Sequence, residues 1–229
     1  VNEKFELFLN LHPSEFFYIQ KGGKIDGLCP SNSKVCVLVC SEIDPKRDVH
    51  GYSYAFVSQW LSDTYGDGSI PIVPPIVTLP DIKDDMRKEL NIPDDSIVFG
   101  RTGGLDTWNI PFTNEVIKLL LENGADNLFF LLQNTPEFYL HPNIIHVPCS
   151  ASLNFKTKFI NTCDALLHSR FEGESFGSTC GEFSIKNKRV ITYADSRERN
   201  HINILKDKGI YYSSPQNLIK VLTGFKKED

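Results

Sequence analysis

From about residue 97 onward, short apolar segments alternate regularly with longer mixed segments. The mixed segments include Phe112–Glu122, which is predicted to be a helix closed by Asn123-Gly124. Strands that alternate with helices predict a parallel, doubly wound sheet. The apolar segments, which have the length of strands, are Ile97–Phe99, Leu128–Leu132, Ile144–Val147, Ala165–His168, Val190–Tyr193 and Ile210–Tyr212. The other predicted helices are Asp81–Leu90, Phe155–Thr162, Arg199–Lys208 and Pro215–Gly224.

The first 80 residues have a less regular pattern. Val35–Cys40 is a continuous β-rich apolar run, which is typical of a strand covered on both faces. Phe5–Leu9 and Phe16–Ile19 also have the pattern of strands, whereas Tyr52–Leu61 fits either a helix or a strand followed by a helix. The chain before residue 80 is therefore predicted to form a second α/β unit.

A cluster of prolines indicates where the two units join. Pro71, Pro74, Pro75 and Pro80 follow Asp67-Gly68, and a proline-rich segment of this kind forms an extended linker. We predict that residues 1–75 form a partial or reduced N-terminal domain, with a linker to about residue 80. Residues 81–229 are predicted to form a C-terminal Rossmann-like domain.

Composition excludes several classes of function. The 229 residues are 41% hydrophobic and 23% charged, with a net charge of −5 and no basic run longer than Lys226-Lys227, so nucleic-acid binding is not expected. No apolar stretch approaches the roughly 20 residues of a membrane span, so we expect no transmembrane segment. The six cysteines include no Cys-x-x-Cys pair, which favours reduced thiols in a cytoplasmic location over disulfides or zinc.

The stretch from Arg170 to Glu182 is the strongest candidate site, because it joins a predicted strand to a predicted helix. Ser175, Phe176 and Gly177 are predicted to supply the first unpaired backbone N–H groups of this helix, where an anion binds. Glu174 and Glu182 flank that position, and sugar hydroxyls are the groups that a carboxylate beside a phosphate would hold. The alternative is a capped helix with solvated glutamates.

This stretch resembles the motif of the retaining glycosyltransferases of family 4, which have the α/β fold called GT-B. The resemblance consists of Glu174, seven residues and Glu182, with Ser-Phe-Gly after the first glutamate, and the order of elements is similar from about Ser96 to Phe225. It implies one complete Rossmann-like doubly wound domain, residues 81–229, which would bind the nucleotide-sugar donor. It also implies a short or truncated N-terminal α/β domain, residues 1–75, on the acceptor side.

The resemblance also implies roles for individual residues. Glu174 would lie beside the transferred sugar as a catalytic residue, and Glu182 would bind the nucleotide ribose. Val147, Pro148 and Cys149 would form the nucleobase region. The donor diphosphate would lie on the turn made by Ser175, Phe176, Gly177 and Ser178.

Gly100–Gly104 follows another predicted strand and is a second candidate for the diphosphate. Arg101 is able to clamp a diphosphate through two hydrogen bonds, and Gly103 and Gly104 allow close approach of the backbone. The resembling family has a lysine a few residues further on, where this chain has Trp108 or Asn109. The second cation is then either absent or supplied by Arg170 or Arg197. The alternative is a glycine-rich turn with a surface arginine.

Two histidines are candidates for the site. His168 ends the strand before the motif, where it would contact the donor or order Glu174, and a purely structural histidine is the alternative. His50 is an acceptor-side candidate. The sequence contains no Asp-x-Asp, so no metal is expected, and the charge of the leaving group would be met by Arg101 and the helix N-terminus.

The resemblance implies a retaining, metal-independent glycosyltransferase with no cofactor. It would move a sugar from a nucleotide diphosphate donor, a UDP-sugar being favoured, to a hydroxyl of a glycan or glycoprotein acceptor. The alternatives are a non-catalytic nucleotide-sugar-binding module and an epimerase or hydrolase of nucleotide sugars. Gly181–Ser184 and Asn187–Ile191 resemble enzymes of large DNA viruses and bacterial surface-polysaccharide clusters, so a viral chain would act in the host cytoplasm.

Overall fold

The computed structural model describes residues 16–21, 34–40 and 53–227. The strand predicted at Phe5–Leu9 and the candidate His50 lie outside these residues. The chain divides into two compact units, 1–76 with 198–200 and 77–197 with 201–229. The assignment of an acceptor role to the first part stays a prediction.

The first unit contains a sheet of three parallel strands in the order β1-β2-β3. These strands are β1 (Phe16–Lys21), β2 (Lys34–Val39) and β3 (Ser53–Phe56). Helix α1 (Gln59–Tyr65) follows β3 and is capped by Ser58, whose hydroxyl accepts the N–H of Leu61 at 3.2 Å. The segment that fitted either a helix or a strand with a helix is therefore a strand followed by a helix.

The second unit is built on six parallel strands in the order β11-β9-β7-β4-β5-β6. These strands are β4 (Ile97–Arg101), β5 (Leu128–Leu132), β6 (Ile144–His146), β7 (Ala165–His168), β9 (Arg189–Tyr193) and β11 (Ile210–Tyr212). Each of these strands overlaps an apolar segment that the sequence predicts. Two-residue strands, β8 (Gly173–Glu174) and β10 (Glu198–Arg199), lie in the connections.

Among the described residues of this unit, four α-helices lie between strands and a fifth follows β11. They are α2 (Thr113–Glu122), α3 (Leu153–Thr162), α4 (Ser178–Ile185), α5 (Asn200–Leu205) and α6 (Pro215–Gly224). Short 3₁₀ helices occupy Leu105–Thr107 and Lys206–Lys208. Serine side chains cap α3 and α6, since Ser152 accepts the N–H of Phe155 and Ser214 accepts that of Asn217.

Successive side chains of a strand point to opposite faces of the sheet, so the core of this unit has two layers. Phe99 and Phe130 face one side of the sheet, where they pack with residues of α2 and α6, and their rings stack at 5.7 Å. Val98, Phe129 and Leu131 belong to the opposite side, with residues of α3 and α4. All five residues of β5 are buried because both faces of the sheet are covered.

The order of the strands reverses between β4 and β7. From β4 the chain builds β5 and β6 on one side, and β7 then returns to pair with β4 on the other. In open parallel sheets the ligand crevice lies at the carboxyl ends of the two strands where the order reverses. The segments after Arg101 and after His168 are therefore the two that border this crevice.

The prediction of a helix over Asp81–Leu90 is wrong. The segment forms a turn in which the Leu90 N–H bonds the Met86 carbonyl at 2.9 Å, and Asn91 follows with a left-handed φ of 54°. Tertiary contacts replace further helical bonds: the Met86 N–H donates to Thr162 Oγ1, and Arg87 forms an ion pair with Asp164 at 2.8 Å. A pattern of charged residues at helical spacing carries no information about such distant partners.

Gly100 in the central strand is expected to be essential for the packing of the second unit. A Cβ at this position would overlap Cys163 Sγ and lie 3.1 Å from Cys163 Cβ and 3.2 Å from the Phe183 ring. We expect Gly100→Ala to lower the free energy of unfolding by about 1–3 kcal/mol, as overpacking does. Denaturant unfolding measures this. Gly224→Ala, where nothing lies within 4 Å, is the matched control, and equal stabilities of the two variants would contradict the packing.

Candidate active site

The segment after β7 forms the corner that carries the motif. Helix α4 begins at Ser178, and its first intrahelical bond runs from the Gly181 N–H to the Gly177 carbonyl. The first N–H groups therefore belong to Gly177, Ser178, Thr179 and Cys180, so the prediction is right for Gly177 and wrong for Ser175 and Phe176. The later start follows from Gly177, which takes a left-handed conformation with φ 93° and ψ 52° at the N-cap and has no side chain to cap the helix.

The glycine at 177 is required for space as well as for conformation. A Cβ there would lie 3.1 Å from the Cβ of His201 and 3.5 Å from that of Glu174. The backbone at the N-terminus of α4 is therefore closely packed against α5 and against the strand that carries Glu174. Such a bare, uncapped N-terminus has the donors and the dipole direction that bind an anion.

Glu174 is held by two basic side chains. Its Oε1 lies 3.1 Å from His168 Nε2, and its Oε2 accepts from an Arg170 guanidinium nitrogen at 3.1 Å. Burial by itself would raise the pKa of this carboxyl, but the hydrogen bond and charge of His168, together with Arg170, hold it below its ordinary value. Glu174 is therefore a carboxylate at neutral pH, and His168 orders it.

Glu182 is the fifth residue of α4 and has a basic partner on another helix. Lys156 Nζ, on α3, donates to its Oε1 at 2.7 Å. The Glu182 side chain is only 13% exposed, whereas Lys156 is 31% exposed. The two glutamates of the motif are thus on the same corner, each paired with a different cation.

Arg101 is neither a surface arginine nor an open clamp. It is 2% exposed, and its two terminal nitrogens donate to the carbonyls of Gly104 at 2.7 Å, Gln133 at 2.6 Å and Asn134 at 2.9 Å. Burial lowers its pKa to about 10, which still leaves it charged at neutral pH. Arg101 therefore fixes the glycine-rich turn. The Gly103 carbonyl also accepts from Arg101 at 3.4 Å and from Asn134 Nδ2 at 2.9 Å.

Asn109 joins the two segments that border the crevice. Its backbone N–H donates to the Ser169 carbonyl at 3.0 Å, its Oδ1 accepts the N–H of Phe171 at 2.7 Å, and its Nδ2 donates to Glu172 at 3.0 Å. In the sequence, Asn109 is notable only as one of the two residues at the position where the resembling family has a lysine. The structure gives it a different role, which is to hold the segment after β4 against the segment after β7.

The predicted nucleobase region lies at the carboxyl end of β6. The Val147 N–H bonds the Leu132 carbonyl, Gln133 Nε2 donates to the Pro148 carbonyl at 2.9 Å, and Cys149 is exposed. Among the cysteines whose side chains are described, Cys149, Cys163 and Cys180 are free thiols.

Two residues with no assigned role in the sequence analysis complete the surroundings of His168. Thr192 Oγ1 lies 2.8 Å from His168 Nδ1 and 3.1 Å from His201 Nε2. No local motif indicates this contact, because Thr192 and His201 are brought to His168 only by the pairing of β9 with β7 and by the packing of α5.

Comparison with solved structures identifies the fold. No protein-family model matches the chain, and no curated protein sequence matches it significantly. The chain is similar to WaaG, a glycosyltransferase involved in lipopolysaccharide biosynthesis (13% identity, 96% of this chain and 70% of WaaG, TM-score 0.61). A glycosyltransferase from Rickettsia africae gives 11% identity over 97% of this chain and 69% of that one, with a TM-score of 0.64.

The Anabaena protein HepE, solved in complex with UDP, is similar as well (12% identity, 97% of this chain and 71% of HepE, TM-score 0.62). At these identities the comparisons establish the fold alone. The predicted fold class is confirmed: the chain has an α/β fold of GT-B type with a doubly wound parallel sheet.

Among residues 16–21, 34–40 and 53–227, no helix combines the length and apolar character that crossing a membrane requires. Within the same residues, no three side chains of His, Cys, Asp or Glu converge as a metal site.

The pairing of Glu174 predicts a pH dependence of stability. Because the folded protein lowers the pKa of this carboxyl, its contribution to stability is present above the unfolded pKa of about 4.3 and is lost as the pH falls through the folded pKa. We expect the difference in free energy of unfolding between wild type and Glu174→Gln to shrink on acidification. Denaturant titrations across this range measure it, with the exposed Glu89→Gln as the control for one lost charge. A difference that does not change with pH would contradict the pairing.

Proposed function

We propose that this protein is a glycosyltransferase that moves a sugar from a nucleotide diphosphate donor, with UDP-sugar favoured, to a hydroxyl of a glycan or glycoprotein acceptor. The observation that carries the proposal is the corner at the reversal of strand order, where an uncapped helix N-terminus lies between two carboxylates. The GT-B fold supports it, because several glycosyltransferases share that fold and one of the similar structures holds UDP.

The donor diphosphate is proposed to lie at the N-terminus of α4. The N–H groups of the first turn have no side-chain cap there, and the helix dipole favours negative charge. A phosphate at this position is also close to Ser175, Phe176 and Ser178, as the resemblance implies.

Arg170 is the better candidate for the cation that meets the diphosphate charge. Arg101 would have to release several buried carbonyls before it contacted a ligand, and each of those would then lack a donor. Arg170 is 27% exposed and already reaches the corner through its bond to Glu174. Arg101 and Gly104 would then contribute indirectly, through the shape of the turn.

Glu182 is proposed to bind the ribose and Glu174 to act on the transferred sugar. Glu182 needs only to exchange the Lys156 ammonium for ribose hydroxyls, and Lys156 has the flexible stem and exposure to move away. Glu174 remains an ionised carboxylate fixed by His168, which suits the stabilisation of positive charge that develops on the sugar. Membership of family 4, retention of configuration and independence from metal complete the proposal.

Titration with UDP in the presence of EDTA is the first test. We expect calorimetry to show that UDP binds without metal.

Glu182→Gln is expected to raise the donor KM with little change in kcat, because a ribose contact is equally strong in the ground state and the transition state. Glu122→Gln, an exposed glutamate on α2, is the control. Binding or turnover that requires added magnesium or manganese would overturn the metal-free part of the proposal.

Glu174→Gln is expected to lower kcat by about 10²-fold, the size found when one preorganised electrostatic contact is removed. The amide keeps the shape of the side chain and removes its charge, so donor affinity should change much less than kcat. The kcat is measured as donor turnover with and without acceptor, which distinguishes transfer from hydrolysis. An epimerase would convert the donor sugar without acceptor. A variant with normal kcat, or a wild type that binds UDP and never turns over donor, would favour a binding module.

A further inference from the structure

A chain of buried hydrogen bonds leads from Glu174 into the interior of the second unit. It runs from Glu174 Oε1 to His168 Nε2 (3.1 Å), from His168 Nδ1 to Thr192 Oγ1 (2.8 Å), and from Thr192 Oγ1 to His201 Nε2 (3.1 Å). His168 is 7% exposed, Thr192 0% and His201 1%, so water does not compete for these groups. The two imidazole rings lie 5.1 Å apart.

The groups in this series of hydrogen bonds differ in whether they can donate a proton. An ionised carboxylate only accepts hydrogen bonds, so His168 Nε2 must carry a proton in order to bond Glu174. Thr192 has one hydroxyl proton, so it donates to one imidazole and accepts from the other. Its position is fixed, because a β-branched side chain on a strand has little freedom at χ1.

Thr192 is able to match either charge state of His168. When His168 is neutral, the threonine donates to Nδ1 and accepts from a protonated His201 Nε2. When His168 is charged, its Nδ1–H donates to the threonine, which turns its own proton toward a bare His201 Nε2. In both states His168 Nε2 keeps its proton and donates it to Glu174, because histidine exists in two tautomers and His201 supplies whichever is needed.

We propose that Thr192 is a positioning residue of the active site, which acts with His201 to keep the Nε2–H of His168 directed at Glu174. The proposal rests on the proposed function, in which Glu174 stabilises the charge that develops on the sugar. Within the part of the chain that the structure describes, five titratable or charged groups lie near the pair of His168 and Glu174. They are Arg170, His201, Cys180, Tyr212, whose hydroxyl donates to the His168 carbonyl, and Glu172 beyond Arg170.

Removing only the hydroxyl of Thr192 separates positioning from packing. Thr192→Val keeps the shape of the side chain and leaves His168 Nδ1 without its buried partner, whereas Thr192→Ser keeps the hydroxyl. We expect the valine variant to lose kcat by about tenfold to a hundredfold, the range for outer-shell residues that orient a histidine in metal sites, with donor KM little changed. The serine variant should recover most of the loss.

Thr157→Val is the matched control. Thr157 is also fully buried in the second unit, but its hydroxyl bonds the Leu153 carbonyl within α3. We expect it to leave kcat unchanged. Equal kcat for wild type and Thr192→Val, or a loss in Thr192→Ser as large as in valine, would overturn the positioning role while leaving the glycosyltransferase proposal intact.

A measurement on the wild-type protein does not depend on turnover or on folding of a variant. Two-bond ¹H–¹⁵N NMR spectra of labelled histidine rings, assigned with His168→Gln, report which ring nitrogens carry protons. We expect a protonated Nε2 on His168, and a bare Nε2 would overturn the inference. A wild type with no UDP binding would overturn the proposed function, and the NMR result would still decide the arrangement of the chain.

Discussion

The adjacency of β4 and β7 at the centre of the sheet is the constraint on which the site depends. Strands joined by crossover helices must be parallel, so all their carboxyl ends meet at one edge, and the reversal between β4 and β7 leaves a gap that no connection covers. Asn109 holds the two bordering segments together there. The close packing of Gly100 against Cys163 and Phe183 brings α4 near enough for its N-terminus to reach the same gap.

Burial of charge shapes the chemistry of this gap. A carboxylate taken out of water is strongly destabilised unless it is paired, and here each motif glutamate has a cation from a different source. Glu174 is paired within its own loop and strand, by Arg170 and His168. Glu182 is paired from a different helix, by Lys156. A buried cation also needs partners, and backbone carbonyls accept hydrogen bonds from the buried guanidinium of Arg101.

Sequence patterns predict the strands and the position of the corner after β7. They do not predict which distant residues contact each side chain. The apolar runs such as Leu128–Leu132 indicate strands because a sheet covered on both faces needs continuous apolar residues. The failed helix at Asp81–Leu90 and the burial of Arg101 share one cause, which is that distant groups decide them: Thr162 and Asp164 in the first case, Gln133 and Asn134 in the second. The start of α4 depended on one left-handed glycine, whose role as N-cap is invisible to propensity.

Glu174 and Glu182 differ in how firmly each is held, because the basic side chains that pair with them differ in flexibility. Lys156 is a compact charge on a flexible stem and is partly exposed, so Glu182 is able to exchange it for another partner without leaving a buried group unsatisfied. His168 is a rigid ring at the end of a central strand, anchored behind by Thr192, and it has no such alternative position. Glu174 therefore stays fixed while Glu182 is free to rearrange. A site that binds a ligand at one carboxylate and stabilises charge at the other requires that division, because preorganisation matters most where charge develops.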